Sequence, residues 1–172
     1  MSGKQALLSE MSAHYEELYS SVMGLQDEHM AGPVLEGWSV KDILAHIAGW
    51  GREIAVMLER MAAGQRARAE GIDYADVDGW NVRFVEEMRE LSPGDVLTAL
   101  HAAHDACVRA AEALAEERFA EGRTAERLLQ EWVIDHYDEH SAQIWEWRDS
   151  LDDEALRRYG EVLKPHGPEG RG

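Results

Sequence analysis

The chain has 172 residues and a mass of 19.4 kDa, which is the size of one domain, and 45% of its residues are hydrophobic, which argues against global disorder. Against 34 acidic residues stand 17 basic ones, and the net charge of −17 is expected to exclude nucleic acid and anionic membranes as partners. The single cysteine, Cys107, excludes an intrachain disulfide. Because neither a secretion signal nor a membrane-spanning apolar stretch is evident, we expect a cytoplasmic protein.

The first predicted element is an amphipathic helix over residues 8–25. Its apolar side chains recur in steps of three and four, which keeps one helix face apolar. A connecting loop is predicted over residues 28–36, because Gly32 and Pro33 interrupt that period.

The second predicted helix has a well-marked start. Ser39 and Asp42 have the spacing of a capping box, and Trp38 and Ile43 can pack across the first turn as a hydrophobic staple. An apolar stripe continues from there, and the helix is predicted to end near Gly64.

The middle of the chain is predicted to contain a loop and two helices. Residues 65–78 are polar and aperiodic, so they form a loop long enough to close over a site, and a short helix follows up to residue 91. Ser92 and Pro93 then supply an N-cap and a first-turn proline. The third long helix therefore begins there, and its pattern fades near residue 121.

The last long helix is predicted to begin after Thr124 and to reach Trp147, with a short helix extending to residue 159. Four amphipathic helices without alternating apolar and polar strand patterns predict an all-α four-helix bundle. We assign residues 1–160 to this bundle and residues 161–172 to a flexible C-terminal tail.

Three histidines stand where inward-facing residues are expected. His136 and His140 are four residues apart and project from the same helix face, a spacing at which two imidazoles can bind one metal ion. His46 lies at the edge of the inward face of the second helix. Three protein ligands with open positions are typical of catalytic metal sites. The alternative is that these are core histidines satisfied by carbonyls or neighbouring acids.

Two other features are candidates for a metal-binding or reactive site. His101 and His104 form a second pair on the third helix, which we interpret as the edge of the core. Cys107 has no basic neighbour that would lower the pKa of its thiol, so we interpret it as a small buried hydrophobic residue.

Two segments resemble a known superfamily. Residues 37–50, GWSVKDILAHIAGW, resemble the signature at the start of the second helix of DinB-like four-helix-bundle proteins. Residues 131–140, EWVIDHYDEH, are similar to the fourth-helix segment of that superfamily, and Trp80 with Asn81 resembles a junction of its ClbS/DfsB-type branch. The resemblance covers roughly residues 7–150.

This resemblance implies an up-up-down-down bundle, often dimeric, that holds nickel or zinc through positions matching His46, His136 and His140. The superfamily includes thiol-dependent S-transferases, maleylpyruvate isomerases that use low-molecular-weight thiols, and hydrolase-like resistance proteins, so membership does not determine the reaction. We therefore expect a homodimer with a small-molecule substrate and a low-molecular-weight thiol as a further candidate partner.

Two functional hypotheses follow. The first is a metal-dependent hydrolase or thiol S-transferase in which Glu53, one heptad after His46, and Glu139, beside His140, act as base or hold the ligands. The second is a bundle without catalytic activity that binds a metal or small molecule or sequesters a toxic compound.

Overall fold

The computed structural model describes residues 2–35 and 37–151. Its helices and strands are α1 (Gly3–Val22), α2 (Asp27–Met30), β1 (Pro33–Leu35), β2 (Trp38–Ser39), α3 (Val40–Ala62), α4 (Val77–Glu87), α5 (Pro93–Glu112), α6 (Thr124–Leu129) and α7 (Asp135–Asp149). A 3₁₀ turn (Glu116–Phe119) precedes α6, and a π-helical segment (Gln130–Ile134) joins α6 to α7 in one continuous rod. The helix predicted up to residue 159, the domain boundary at residue 160 and the tail over 161–172 lie outside the described residues.

Helix starts follow the capping signals. The Ser39 side chain accepts from the backbone N–H of Asp42, and the Asp42 carboxylate accepts from the backbone N–H of Ser39. Ser92 and Asp95 make the same reciprocal pair at the start of α5. Each cap satisfies amide groups that would otherwise lack partners and stabilises its helix by about 1 kcal/mol. Both predicted starts are confirmed.

Helix α1 runs antiparallel to α5 and parallel to α7. At its beginning, Lys4 Nζ donates to the carbonyl of Leu114, just beyond the end of α5. At the other end of α1, Arg148 from the last turn of α7 donates to the carbonyl of Ser21 at 2.7 Å. His14 and Asp138 lie 3.3 Å apart, and each comes before the Ser21–Arg148 contact in its own helix. Helices α1 and α7 therefore run in the same direction.

The helix directions differ from the up-up-down-down order that the resemblance implied. At the beginning of α3, His46 meets His136 of α7, and further along α3 Met57 shares a cavity with Leu128 of α6, so α3 runs antiparallel to the α6–α7 rod. The order is therefore up, down, down, up. The physical reason is the long connection over residues 63–92, which contains α4 and returns the chain to the end of the bundle at which α3 begins, so that α5 runs parallel to α3.

Residues 28–36 are not the simple loop that was predicted. They include part of α2 and the strand β1, which pairs with β2 as an antiparallel hairpin in which Leu35 faces Trp38. Gly37 makes the tight connection with a left-handed φ of 89°. A hairpin this short contains too few residues to show an alternating pattern. It matters because it places Trp38 beside the start of α3.

Helix α3 is the centre of the bundle, and two glycines allow its neighbours to approach. A Cβ atom on Gly49 would lie 2.1 Å from Cγ of Phe84 in α4, and one on Gly51 would lie 3.1 Å from Cβ of Ala103 in α5. Within the described residues, no helix is long and apolar enough to cross a membrane.

The loop between α3 and α4 is fastened to both helices. The Tyr74 hydroxyl donates to Glu53 of α3 at 2.7 Å, and the Tyr74 ring stacks on Trp80 at 5.0 Å between centroids. The Trp80 indole N–H in turn donates to the carbonyl of Asp73 at 2.8 Å. These contacts hold the loop against the bundle.

Candidate metal centre

The three predicted histidines converge. His46 from α3 meets His136 and His140 from α7, and one ring nitrogen of each lies within 4.8 Å of the others. The Nε2 atoms of His46 and His136 are 3.0 Å apart. Two nitrogen ligands of a tetrahedral zinc ion lie about 3.3 Å apart, given metal–nitrogen bonds of about 2.0–2.1 Å. The cluster can therefore hold a metal ion after small side-chain adjustments.

The local backbone explains how α7 presents its pair. His136 and His140 occupy consecutive turns of one face, as their spacing predicted. The π-helical segment ends just before them, and π segments are concentrated at functional sites. The carbonyl of Trp132, one turn before His136, interacts with that imidazole and favours its protonated form.

Burial keeps these imidazoles neutral. It lowers the pKa of His46 to about 2, and the neighbouring His136 and His140 lower it further. Burial, followed by the proximity of His140, lowers the pKa of His136 to about 3, and burial also lowers the pKa of His140. A metal ion binds only the unprotonated nitrogen of a histidine. At neutral pH the cluster therefore presents lone pairs rather than positive charges.

Gln143 determines which nitrogen of His140 is free. The Gln143 amide nitrogen donates to Oε1 of Glu139 at 3.3 Å, and since a carboxylate only accepts, this contact orients the amide. Oε1 of Gln143 then accepts a hydrogen bond from Nδ1–H of His140 at 2.7 Å. With the proton on Nδ1, the lone pair of His140 that is free to bind a metal ion is on Nε2. Such hydrogen bonds to ligating histidines are typical of metal sites.

The two ring nitrogens of His46 have different surroundings, since only Nε2 faces a polar partner, Nε2 of His136. Its Nδ1 atom is buried and has no hydrogen-bond partner in the described part of the chain. The Trp38 ring contacts the imidazole edge-on, 4.8 Å between centroids, and the carbonyls of Asp42 and Ile43 lie near enough to oppose the lowering of its pKa. An unpaired buried polar atom costs about 1–3 kcal/mol.

The cluster opens into a cavity of about 670 Å³. Of the two carboxylates predicted to assist the chemistry, Glu139 lines this cavity, whereas Glu53 does not among the described residues. Glu53 lies two turns further along α3, where it binds the Tyr74 hydroxyl. The cavity walls are Leu35, Trp38, His46, Asp78, Asn81, Val82, His136, Glu139, His140 and Gln143.

Of the two residues predicted to resemble a family junction, Asn81 belongs to the site. It lines the cavity, and its Oδ1 atom accepts from the Trp50 indole N–H at 2.6 Å. Trp80 instead stacks on the loop residue Tyr74. The role of Gln143 was not predicted, although its position three residues after His140 was a usable signal.

In the second histidine pair, His104 belongs to the core and His101 lies at its exposed edge. His104 is buried, stacks on Tyr15 with centroids 4.1 Å apart, and lies 3.4 Å from the Tyr137 hydroxyl. Nδ1 of His101 forms a hydrogen bond with the Tyr15 hydroxyl oxygen, with the two atoms 3.0 Å apart. Cys107 Sγ donates to the carbonyl of Gly51, and burial raises the pKa of this thiol to about 12, so it is no nucleophile at neutral pH.

Solved structures with this fold include proteins of little sequence similarity. A protein from Escherichia coli UTI89, described as uncharacterised, matches with a TM-score of 0.74 and 16% identity over 85% of this chain and 92% of its own. A Streptococcus pneumoniae protein matches with a TM-score of 0.74 and 13% identity over 87% and 92% of the two chains. The colibactin self-resistance protein ClbS, in complex with dsDNA, matches with a TM-score of 0.76 and 16% identity over 87% and 97%.

The expected exclusion of nucleic acid was wrong. ClbS shares this fold and was crystallised with double-stranded DNA. Net charge is a sum over the whole chain, whereas contacts with phosphates depend on the local charges of one surface. The charge of −17 therefore does not exclude a nucleic-acid partner.

The comparison with curated proteins found no match. At the level of families, residues 12–142 match the mycothiol maleylpyruvate isomerase N-terminal domain, a match that covers most of the chain and contains all three clustered histidines. The helical bundle agrees with the DinB-like resemblance of the second and fourth helices. The chain therefore belongs to the mycothiol maleylpyruvate isomerase N-terminal domain family, within the DinB-like superfamily.

Proposed function

We propose that this protein is a divalent-metal-dependent enzyme that acts on a small organic molecule, with a low-molecular-weight thiol as cosubstrate. The observation that carries the proposal is a cluster of three neutral imidazoles with one side open to a cavity of about 670 Å³. Three histidine ligands with open positions are the catalytic arrangement, and imidazole suits both nickel and zinc. The family name adds support for a thiol.

A divalent ion at this cluster supplies a Lewis acid that lowers the pKa of a thiol or water. The protein's own residues supply orientation and proton transfer. Gln143 keeps the proton of His140 on Nδ1, and the Glu139 carboxylate at the cavity wall accepts the proton that a thiol or water releases. Glu53 acts at a distance by holding the loop through Tyr74.

The test begins with metal content. Tag-free protein is loaded with nickel or zinc, and bound metal is measured for the wild type, His136→Ala and His140→Ala. His101→Ala is the matched control, since this imidazole lies outside the cluster. We expect stoichiometric metal in the wild type and the control and a loss in both cluster variants. Absence of metal from the wild type would overturn the proposal.

Activity separates the enzyme from a binding protein. The metal-loaded protein is assayed for isomerisation, thiol transfer and hydrolysis with mycothiol and other low-molecular-weight thiols, beside Glu139→Gln. Turnover that falls at least about tenfold in this variant supports the proposed proton transfer. Metal binding without turnover across the panel would instead favour the alternative of a metal-binding or sequestering bundle.

Two further partners belong in the same experiments. ClbS is described as a self-resistance protein in complex with dsDNA, so binding of a DNA duplex is measured beside the thiols. The homodimer stays a prediction, which light scattering of the tag-free protein tests directly.

A further inference from the structure

Asn81 offers an unused hydrogen-bond donor at the histidine cavity. Its Oδ1 atom accepts from the Trp50 indole N–H at 2.6 Å, and because an indole nitrogen only donates, this contact identifies the oxygen of the amide. The amide nitrogen, Nδ2, forms no hydrogen bond within residues 2–35 and 37–151, and it is not among the buried unpaired side-chain atoms there. Nδ2 is therefore accessible, in a residue that lines the same cavity as the clustered histidines.

The donor is held in place by the packing around Trp50. This indole is buried, and its ring centroid lies 4.8 Å from that of Trp132 and 5.4 Å from that of Phe84. Helix α4, which carries Asn81, packs so closely on α3 at Phe84 that a methyl group on Gly49 would not fit. Because a fixed donor loses little freedom when a ligand binds, the Asn81 amide is preorganised for an acceptor atom.

Trp50 also places this donor beside the metal-binding cluster. On α3, Trp50 follows His46 by four residues, so the two side chains lie on one helix face, about 6 Å apart along the axis. His46, His136 and Asn81 all line the cavity of about 670 Å³. A ligand in this cavity therefore meets the cluster and the Asn81 amide together.

The charges around the cavity favour an uncharged ligand over an anion. Asp78 and Glu139 line it, whereas no lysine or arginine does so among the described residues. Within the same residues, Asp78 forms no ion pair, and the Glu139 carboxylate accepts from the Gln143 amide. A divalent ion on the cluster would add two positive charges, which these two carboxylates already balance. A carboxylate ligand thus gains little attraction, while a neutral carbonyl oxygen needs only a donor.

We propose that Asn81 binds the carbonyl oxygen of an uncharged substrate, an amide, ester or ketone, at the histidine cavity. The inference rests on the proposed function and deepens it, because it assigns a chemical class to the substrate and a residue that positions it. The hydrogen bond itself needs no metal, so it is testable in the metal-free protein.

Cyclohexanone serves as a neutral ketone probe, and ligand-observed NMR measures its affinity for metal-free protein. Asn81→Asp retains an acceptor for Trp50 but replaces the amide donor by an oxygen. We expect cyclohexanone affinity to fall about 3- to 10-fold in this variant, which corresponds to the loss of one hydrogen bond. The affinity for cyclohexylamine, whose ammonium group donates, should instead rise. Opposite changes for the two probes would not result from general damage to the cavity.

Val82→Asp is the matched control. It adds the same charge one residue further along the same cavity wall, at a side chain that is 62% exposed, and it leaves the Asn81 amide intact. This variant should largely retain cyclohexanone affinity. An equal loss in both variants, an unchanged affinity in Asn81→Asp, or no saturable binding to the wild type would overturn the proposal. Thermal unfolding checks that each variant is folded.

Cyclohexanecarboxylate tests the preference for an uncharged ligand. We expect the wild type to bind it more weakly than cyclohexanone, and Asp78→Asn/Glu139→Gln to narrow this difference. Tighter binding of the carboxylate by the wild type would contradict the proposed substrate class.

The same titrations with zinc-loaded protein separate this inference from the proposed function. If no zinc binds, the proposed function fails, while the metal-free titrations still decide the role of Asn81. If zinc binds and Asn81→Asp has no effect on cyclohexanone, the assignment of Asn81 alone fails.

Discussion

The Nε2 atoms of His46 and His136 face each other at 3.0 Å between antiparallel helices α3 and α7. Two imidazole nitrogens at this distance interact favourably only when one carries a proton and the other does not, or when both bind one cation. Burial holds the pKa of both residues far below neutrality, so both rings are uncharged at neutral pH. Two uncharged rings can either form one hydrogen bond, with one Nε2 protonated and the other not, or bind one cation, for which His140 supplies a third nitrogen.

Metal affinity should depend on the amide that orients His140. Gln143→Ala removes the acceptor of Nδ1–H, so both tautomers become accessible and affinity for zinc falls about 10- to 100-fold. Gln130→Ala is the control, since that amide donates to Asp135 instead. Competition calorimetry measures both. Equal affinities in the two variants would contradict the assigned role.

The stability of the metal-free protein should decrease in acid. The unfolded chain protonates His46 and His136 near pH 6.5, whereas burial keeps their folded pKa values at about 2 and about 3. Below pH 6.5 the unfolded state therefore binds more protons than the folded state. The contribution of the two neutral histidines to the free energy of unfolding is complete above pH 6.5 and is lost as the pH falls. At pH 5 the loss is up to about 2 kcal/mol for each histidine.

Urea unfolding between pH 5 and pH 8, with a chelator present, measures this dependence. The double variant His46→Asn/His136→Asn should have a flatter profile, because the titrating groups are gone. A profile as steep as that of the wild type would assign the acid sensitivity to other residues.

Stability should also depend on the hydrogen bond between Trp50 and Asn81. Asn81→Ala leaves the Trp50 indole N–H without its acceptor and lowers the free energy of unfolding by about 1–3 kcal/mol. Asn81→Asp retains an acceptor and should recover most of this loss. In a Trp50→Phe background, Asn81→Ala should change little, and a full loss there would show that Asn81 stabilises the fold by another route.

Close packing of α3 predicts different results for two glycines. Gly49→Ala forces a methyl group against Phe84, so we expect a net loss of about 1–3 kcal/mol despite the better helix propensity of alanine. Gly51→Ala meets Ala103 at 3.1 Å and should remain within about 1 kcal/mol of the wild type. Denaturant unfolding compares the two. Similar stabilities would mean that α4 moves away from α3 without penalty.

Much of the secondary structure was predictable because its causes are local. Ser39 with Asp42 marks a helix start through hydrogen bonds within a single turn, and the structure has that start. The spacing of His136 and His140 likewise determines that they share a helix face. The convergence of these two residues with His46 was predicted from the apolar, inward-facing sides of two helices, together with the family resemblance.

The sequence by itself thus determined the long helices, their apolar faces and the position of each clustered histidine on its helix, since capping and periodicity act within a few residues. Only the tertiary structure decided the direction of each helix, the place of Glu53 against Tyr74, and the cavity onto which the histidine cluster opens. These relationships join residues far apart in the chain, and they depend on how a crossover is routed and how helix faces pack. Local sequence patterns carry little information about either.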